Sequence, residues 1–456
     1  MTWTADACSL VDAFRAGELS PVEAVQDVLD AADPCNGITY RDSEGALAAA
    51  RVADVGKPFG GVPFAVKELE TVQGWPFEYG TKLLEGNIGT DTTANVQRMR
   101  DLGGAIPTVQ TTSSELGLVG YTSTKLHGTT TNPWDPSRTP GGSSGGTAAC
   151  VAGGVVPIGT GSDGGGSIRI PAGYTGLVGM KTSFRVIPWT PEAQMEPLTS
   201  TTGCLSRSVR DTARWLDVTA GPHLLDPFSL PRVGPYESAL GTHDLAGLRV
   251  AVLPTFGGTV VHPDVVDVVA EAAQALIDET RLRRVDVELV VPEMGAAWLG
   301  PALPILWAGL GPVWPDVRDL LTDEVAAALD LASSYDIEVA AAIDPVRKAL
   351  NAAIGELFER VDLVLCATNP DDPYPAAGPS PDRVGDIDVE RYNVGRLTMP
   401  MNITGVPAIT VPAGLSPRGL PVGMQIVGRR HQDALLLDVA SRWERLRPWP
   451  LVAPSL

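Results

Sequence analysis

At 456 residues the chain is well above the size at which a hydrophobic core is hard to assemble, and its length allows two or three domains. A formal net charge of -20, with no basic run anywhere, excludes a nucleic-acid-binding surface, which needs clustered Lys and Arg. The five cysteines, Cys8, Cys35, Cys150, Cys204 and Cys366, are scattered without CxxC or Cys/His metal spacing, so reduced, mostly buried thiols and no metal site are expected.

The amino-terminal MTWTADACSLVDAFRAGEL has neither a positive leader nor an apolar core, which predicts no signal peptide and a cytoplasmic protein. Ser9 to Asp33 reads as two amphipathic helices separated at Ser20-Pro21, with the serine as N-cap and the proline in the first turn. Alanines at helical spacing continue from Ala46 to Asp54. Val62 to Val66 is an apolar strand, and Lys67 follows it at the edge of a region that excludes water, where burial would disfavour the charged amine. Asn95 to Leu102 reads as helix. GGAIPTVQTTSSELG then reads as strand, loop and a helix start that Ser113 or Ser114 could cap. A proline-rich loop, residues 127 to 140, leads to the stretch around which the chain is organised.

That stretch runs from Pro140 to Ala172, PGGSSGGTAACVAGGVVPIGTGSDGGGSIRIPA. Gly141, Gly142, Gly145 and Gly146 flank Ser143 and Ser144, and Gly164, Gly165 and Gly166 precede Ser167, so backbone could approach a bound substrate at both serine loops. Val151 to Ile158 between them reads as a short buried strand. Further on, a helix begins near Val209, and residues 222 to 245 look like a linker. Leu248 to Leu253, Arg284 to Val291, Val361 to Ala367 and two runs within 406 to 428 read as strands, and Pro263 to Asp278 and Asp433 to Arg445 as helices. The alternation predicts an α/β protein with one large sheet covered by helices on both faces. Met294 to Trp314 carries no charge but three prolines, which predicts a buried or pocket-lining segment rather than a membrane span.

Two familiar motifs fit the glycines and fail in context. Gly159, Gly161 and Gly164 satisfy GxGxxG, yet the continuation holds a proline and no acidic residue from Gly165 to Pro191, so a dinucleotide site is not supported. Gly142, Ser144 and Gly146 satisfy GxSxG, but no strand precedes them and His431 is the only late candidate, the other histidines lying before the serine or in loop-like stretches. The residues do offer two glycine-framed serines and a buried lysine. A desolvated neutral lysine can remove a serine proton, and successive backbone N–H groups before Ser167 can meet a developing oxyanion. Tight turns alone would explain the glycines but not the serines together with Lys67.

At these residues the sequence resembles the amidase signature family. The resemblance is carried by GVPFAVK at Lys67, NPWDPSRTPGGSSGGTAA, GTGSDGGGSIRIPAGYTGLVGMK, TGVPAITVPAG and GLPVGMQIVG, and it covers the chain except for roughly residues 222 to 345. It implies one domain with a mixed sheet of about eleven strands, a signature core at approximately 60–220 and 360–445, and a variable pocket or lid region at approximately 222–345. Position by position it implies Ser167 as nucleophile, Ser143 as a bridging serine after a cis peptide, and Lys67 as general base. It also implies an oxyanion hole from Gly164, Gly165, Gly166 and Ser167, with Ser144, Asp163 and Arg169 as supports. The implied activity is hydrolysis of linear amides, anilides, carbamates or esters through an acyl-enzyme. No cofactor, nucleic acid or membrane is implied, and the protein would be a monomer or homodimer. Trp298, Trp307 and Trp314 suggest a pocket for an apolar or aryl group. Gly164 stands where the family usually has Thr, which should loosen the loop, and MKTSFRVIP departs from the usual pattern, which should alter the pocket wall. One alternative is the glutamine-hydrolysing component of a glutamine-dependent amidotransferase. The other, from a different class, is an inactive ligand-binding homologue.

Overall fold

The computed structural model describes residues 3–191 and 197–454. Its centre is one sheet of eleven strands: β1 (Ile38–Arg41), β2 (Pro63–Lys67), β3 (Ile106–Thr111), β4 (Ile158–Asp163), β5 (Val178–Lys181), β6 (Thr201–Ser206), β7 (Arg249–Val252), β8 (Arg283–Arg284), β9 (Leu363–Ala367), β10 (Ala408–Leu415) and β11 (Pro421–Gly428). In space they run β1-β3-β2-β4-β6-β5-β10-β11-β9-β7-β8. The β3–β2–β4 and β9–β7–β8 neighbours are parallel and the remaining pairs antiparallel, so the sheet is mixed, as expected. Helices cover both faces. In β11, Gly423 abuts Gly173 of the helix Arg169–Thr175. Gly428, an odd number of residues on and so facing the other way, abuts Leu436 of the helix Asp433–Leu446. Strands buried on two faces read as unbroken apolar runs, as in LVLCA of β9, all five residues of which are buried.

The amino-terminal reading holds. Helices span Ala7–Ala16 and Pro21–Asp30, and Ser20 caps the second with its hydroxyl accepting from Glu23 N–H at 3.2 Å while the Glu23 carboxylate accepts from Ser20 N–H at 2.8 Å. Three expectations change. Val151 to Ile158 is not a strand: Gly145–Ala152 is a helix, Gly153 and Gly154 end it, and β4 begins only at Ile158. GTAACVA is apolar and small on every side, so its pattern carries no period to tell a buried helix from a strand. Of Arg284 to Val291 only Arg284 lies in a strand, the short edge strand β8, and beyond it Val290 is exposed. Finally, Met294 to Trp314 meets its expectation only in part: Met294, Ala297 and Leu303 are buried, but much of the segment is exposed. It folds as short helical pieces, Gly295–Leu299, Gly300–Ala302, Leu303–Leu310 and Gly311–Val313, with Pro301, Pro304 and Pro312 in the first turns of the last three, where a missing N–H costs nothing. By length and composition alone the run Gly295–Val313 could cross a membrane. Ile305, Trp307 and Val313 are 47%, 37% and 42% exposed.

Candidate active site

The site lies at the carboxyl ends of the adjacent parallel strands β3, β2 and β4, the edge where open α/β sheets place ligands. β2 ends in Lys67, β4 ends in Asp163 and runs into the glycine loop before Ser167, and the helix Gly145–Ala152 brings Ser143 and Ser144 in at its amino terminus. Gly146 allows that approach: its N–H donates to Thr112 O at 3.1 Å, and a Cβ there would sit 2.6 Å from the Thr112 backbone. A Cβ on Gly142 would likewise meet the Tyr121 amide at 2.6 Å. The glycines around the first serine pair therefore serve close packing of the chain on itself, and Gly142 also lines the cleft into which Ser167 opens.

Lys67 is fully buried, and its Nζ lies 2.7 Å from Ser143 Oγ, 2.8 Å from Ser144 Oγ and 2.9 Å from Ser162 Oγ. Among the described residues no carboxylate comes within ion-pair distance of it. Burial lowers its pKa to about 7, with Glu70, Asp163 and Glu68 resisting at longer range. Ser162 is a partner that the sequence reading missed. The signal was present in IGTGSD, where Thr160 and Ser162 alternate onto one face of β4; Thr160 Oγ1 accepts from the Lys67 backbone N–H at 2.9 Å. The Gly142–Ser143 peptide is cis. Ser144 N–H donates to Ser167 O at 3.3 Å, so the two serine loops are joined through backbone.

Asp163 and Arg169 form a buried, bidentate pair, with Arg169 Nε 3.0 Å from Oδ2 and Nη2 2.9 Å from Oδ1. Burial would raise the Asp163 pKa, but the Arg169 charge and hydrogen bonds, with Asn402 Nδ2 at 2.8 Å, hold it down at about 2. Arg169 also donates to Gln425 Oε1 and Asn402 Oδ1, both at 2.6 Å. Gly166, at φ +131°, gives its N–H to Asp163 Oδ1 at 2.9 Å. That amide is already committed, so one of the four loop donors that the resemblance implies is engaged by a carboxylate. The loop is not loose at Gly164 either: Trp298 Nε1 donates to Gly164 O at 2.8 Å, and Thr398 Oγ1 donates to Gly165 O at 2.6 Å. These bonds fix the planes of two successive peptides, and with them the direction of the Gly165 N–H.

Neither Ser113 nor Ser114 caps the short helical turn at Glu115–Gly117. The Ser113 hydroxyl donates to Glu68 Oε1 at 3.1 Å and Ser114 N–H to Ser143 O at 3.2 Å, so both brace the site. Ser167 opens into a cleft lined mainly by apolar groups, including Leu118, Val119, Ile170, Trp298, Val394 and Met399, with Glu324 and Arg391 as its charged members. Tyr121 donates to Glu324 Oε1 at 2.5 Å. Of the three tryptophans singled out in the sequence only Trp298 lines the cleft. Trp307 is partly exposed and Trp314 lies under the Arg318 guanidinium at 5.1 Å. MKTSFRVIP lies away from the cleft: Lys181 ends β5, and Ser183 Oγ donates to Asp433 Oδ2 at 2.6 Å.

The family model for amidases matches residues 21–308 and 317–437, and the chain belongs to that family, the amidase signature enzymes. It is a hydrolase acting on the carbon–nitrogen bonds of amides. It is 32% identical to an acylamidase of Rhodococcus erythropolis over 473 residues, covering 98% of this chain and 97% of the relative. It is 31% identical to one component of the glutamyl-tRNA(Gln) amidotransferase of Chloroflexus aurantiacus over 486 residues, covering 97% of each. Among solved structures, a bacterial aryl acylamidase superposes with a TM-score of 0.91 at 27% identity, covering 98% of this chain and 97% of that one. A 6-aminohexanoate cyclic dimer hydrolase complexed with substrate gives 0.88 at 26% identity, covering 99% and 98%.

Proposed function

We propose that the protein hydrolyses linear amides bearing an apolar or aryl group through an acyl-enzyme on Ser167, with Ser143 and Lys67 as the proton relay. The observation that carries this reading is the 2.7 Å contact of the buried Lys67 Nζ with Ser143 Oγ, beside an apolar cleft into which Ser167 opens. Neutral Lys67 takes the Ser143 proton as Ser143 takes that of Ser167, and the Ser167 oxygen attacks the carbonyl carbon. Loop amides of Gly164, Gly165 and Ser167 stabilise the oxyanion. Ser143 then protonates the departing nitrogen, recovering its own proton from Lys67, and water releases the acyl group by the same relay. Ser144 and Ser162 hold the amine, while Asp163 and Arg169 hold the loop. The stretch containing Trp298 and Glu324 supplies the outer wall of the cleft and thereby the choice of substrate.

The similarity to an amidotransferase component supports a second reading, glutamine hydrolysis for ammonia transfer. The apolar lining favours the first. Mass spectrometry with peptide mapping during turnover of a panel of anilides, alkyl amides, carbamates, esters and glutamine should show the acyl adduct on Ser167 with an apolar or aryl substrate, and none in Ser167→Ala. Glutaminase activity with no turnover of the other compounds would transfer the assignment to the second reading. An adduct on any other residue would end the first.

A further inference from the structure

The turn after β2 carries a carboxyl that the proposed mechanism does not use. Glu70 is 4% exposed, three residues from Lys67, with its N–H donating to Lys67 O at 2.8 Å. Its side chain is held by Asn95 Nδ2, at 3.2 and 3.3 Å from the two oxygens, by the Thr202 hydroxyl and by the Thr160 hydroxyl. Asn95 is itself fixed by Trp215 Nε1, which donates to Asn95 Oδ1 at 3.0 Å. Thr160 is the hydroxyl that accepts the Lys67 backbone N–H, so one hydrogen-bonded chain joins the lysine backbone through Thr160 to the Glu70 carboxyl.

We propose that Glu70 is a positioning residue that acts on the reaction through Lys67, its buried negative charge supporting the ammonium that forms when Lys67 receives the serine proton. The inference rests on the reading of Lys67 as base. The acidic groups facing Lys67 are Glu68 and Glu70 from the turn after β2 and Asp163 from β4. Asp163 is neutralised by Arg169 at 2.9 Å, and the Glu68 carboxylate is 3.0 Å from His127 Nε2. Among the described residues Glu70 has only neutral hydrogen-bond partners and therefore keeps its field for Lys67. Burial pushes the Glu70 carboxyl up, against the pull of Thr202, Thr160, Asn95 and Lys67, so the carboxylate depends on those hydroxyls and that amide.

The test is the pH profile of kcat/KM for Glu70→Gln, which keeps the shape and removes the charge. Without the carboxylate the ammonium is less favoured, so the acid limb should move about one pH unit lower. The alkaline plateau should fall a few-fold, because a base with a lower pKa draws a proton less strongly. A carboxyl with only a structural role would lower the plateau and leave the limb where it was, and that result overturns the proposal. Thr202→Val supplies a second variant should Glu70→Gln fold poorly. It removes one donor to the carboxylate, raises the proton affinity of Glu70, and should move the limb the same way by less; an unmoved limb there also overturns the proposal. If the wild type itself has no acid limb, the assignment of Lys67 as base fails instead, so the two failures are distinct.

Discussion

Arg169 and Lys67 are both buried near the end of β4, and they are treated in opposite ways. Arg169 is locked to Asp163 by two hydrogen bonds and is further tied to Gln425 and Asn402. Lys67, equally buried, touches three serine hydroxyls and, among the described residues, no carboxylate. A paired guanidinium in low dielectric cannot give up its proton or its place, and so it fixes the loop. An amine with only hydroxyl partners gains too little to hold its charge against burial, which is what the proposed base requires. What separates the two is the carboxylate partner, since they share their depth.

Lys67→Met puts this contrast under the greatest strain. It should cut turnover on the order of 10⁴-fold or more, because relay members act as a unit. It should nonetheless leave the protein folded by circular dichroism, since no ion pair is lost. Arg169→Met should do the converse. Stranding the buried Asp163 carboxylate should cost about 3–5 kcal/mol in denaturant unfolding. The contrast breaks if Lys67→Met unfolds the protein and Arg169→Met does not. In the wild type, Asp163 at about 2 lies below its ordinary 3.8, so the pair's contribution is fully present above about pH 4 and is lost as pH falls through about 2.

The pH profile sharpens the other half. With Lys67 at about 7 and the neutral amine as the active form, kcat/KM should fall roughly tenfold per unit below pH 7 and level off above it. A value of kcat/KM that stays flat from about pH 5 to 8 would place the proton acceptor elsewhere.

The residues gathered at this site were more legible in the sequence than their supports. Lys67 after an apolar run, and two serines framed by glycines, are local patterns, and the structure brings Lys67, Ser143 and Ser144 together as they stand. The fold class was legible too, because buried strands such as VDLVLCA and PAITVPAG are long enough to recognise. Glu70, Thr398 and Asn402 were not, because their roles depend on contacts across more than a hundred residues in the last two cases and on burial in the first. The helix at Gly145–Ala152 was misread because nothing in a run of small apolar residues reports which side faces the sheet.

Trp298 gives the smallest effect and the finest test, because it joins the cleft wall to the glycine loop before Ser167. Its indole N–H pins Gly164 O, while its ring lies where a Cβ on Gly165 would be, 2.8 Å from the ring atoms. Trp298→Phe keeps an aromatic wall and removes only the N–H. Losing an oxyanion donor outright costs roughly 10²–10³ in kcat, and losing a group that merely aims one should cost about tenfold, with KM for an anilide little changed. Trp298→Ala removes the wall as well, so KM for aryl substrates should rise beyond that of Trp298→Phe while the loss in kcat stays similar. If Trp298→Phe instead raises KM and spares kcat, the indole serves substrate binding alone, and the direction of the Gly165 N–H does not depend on its bond to Gly164 O.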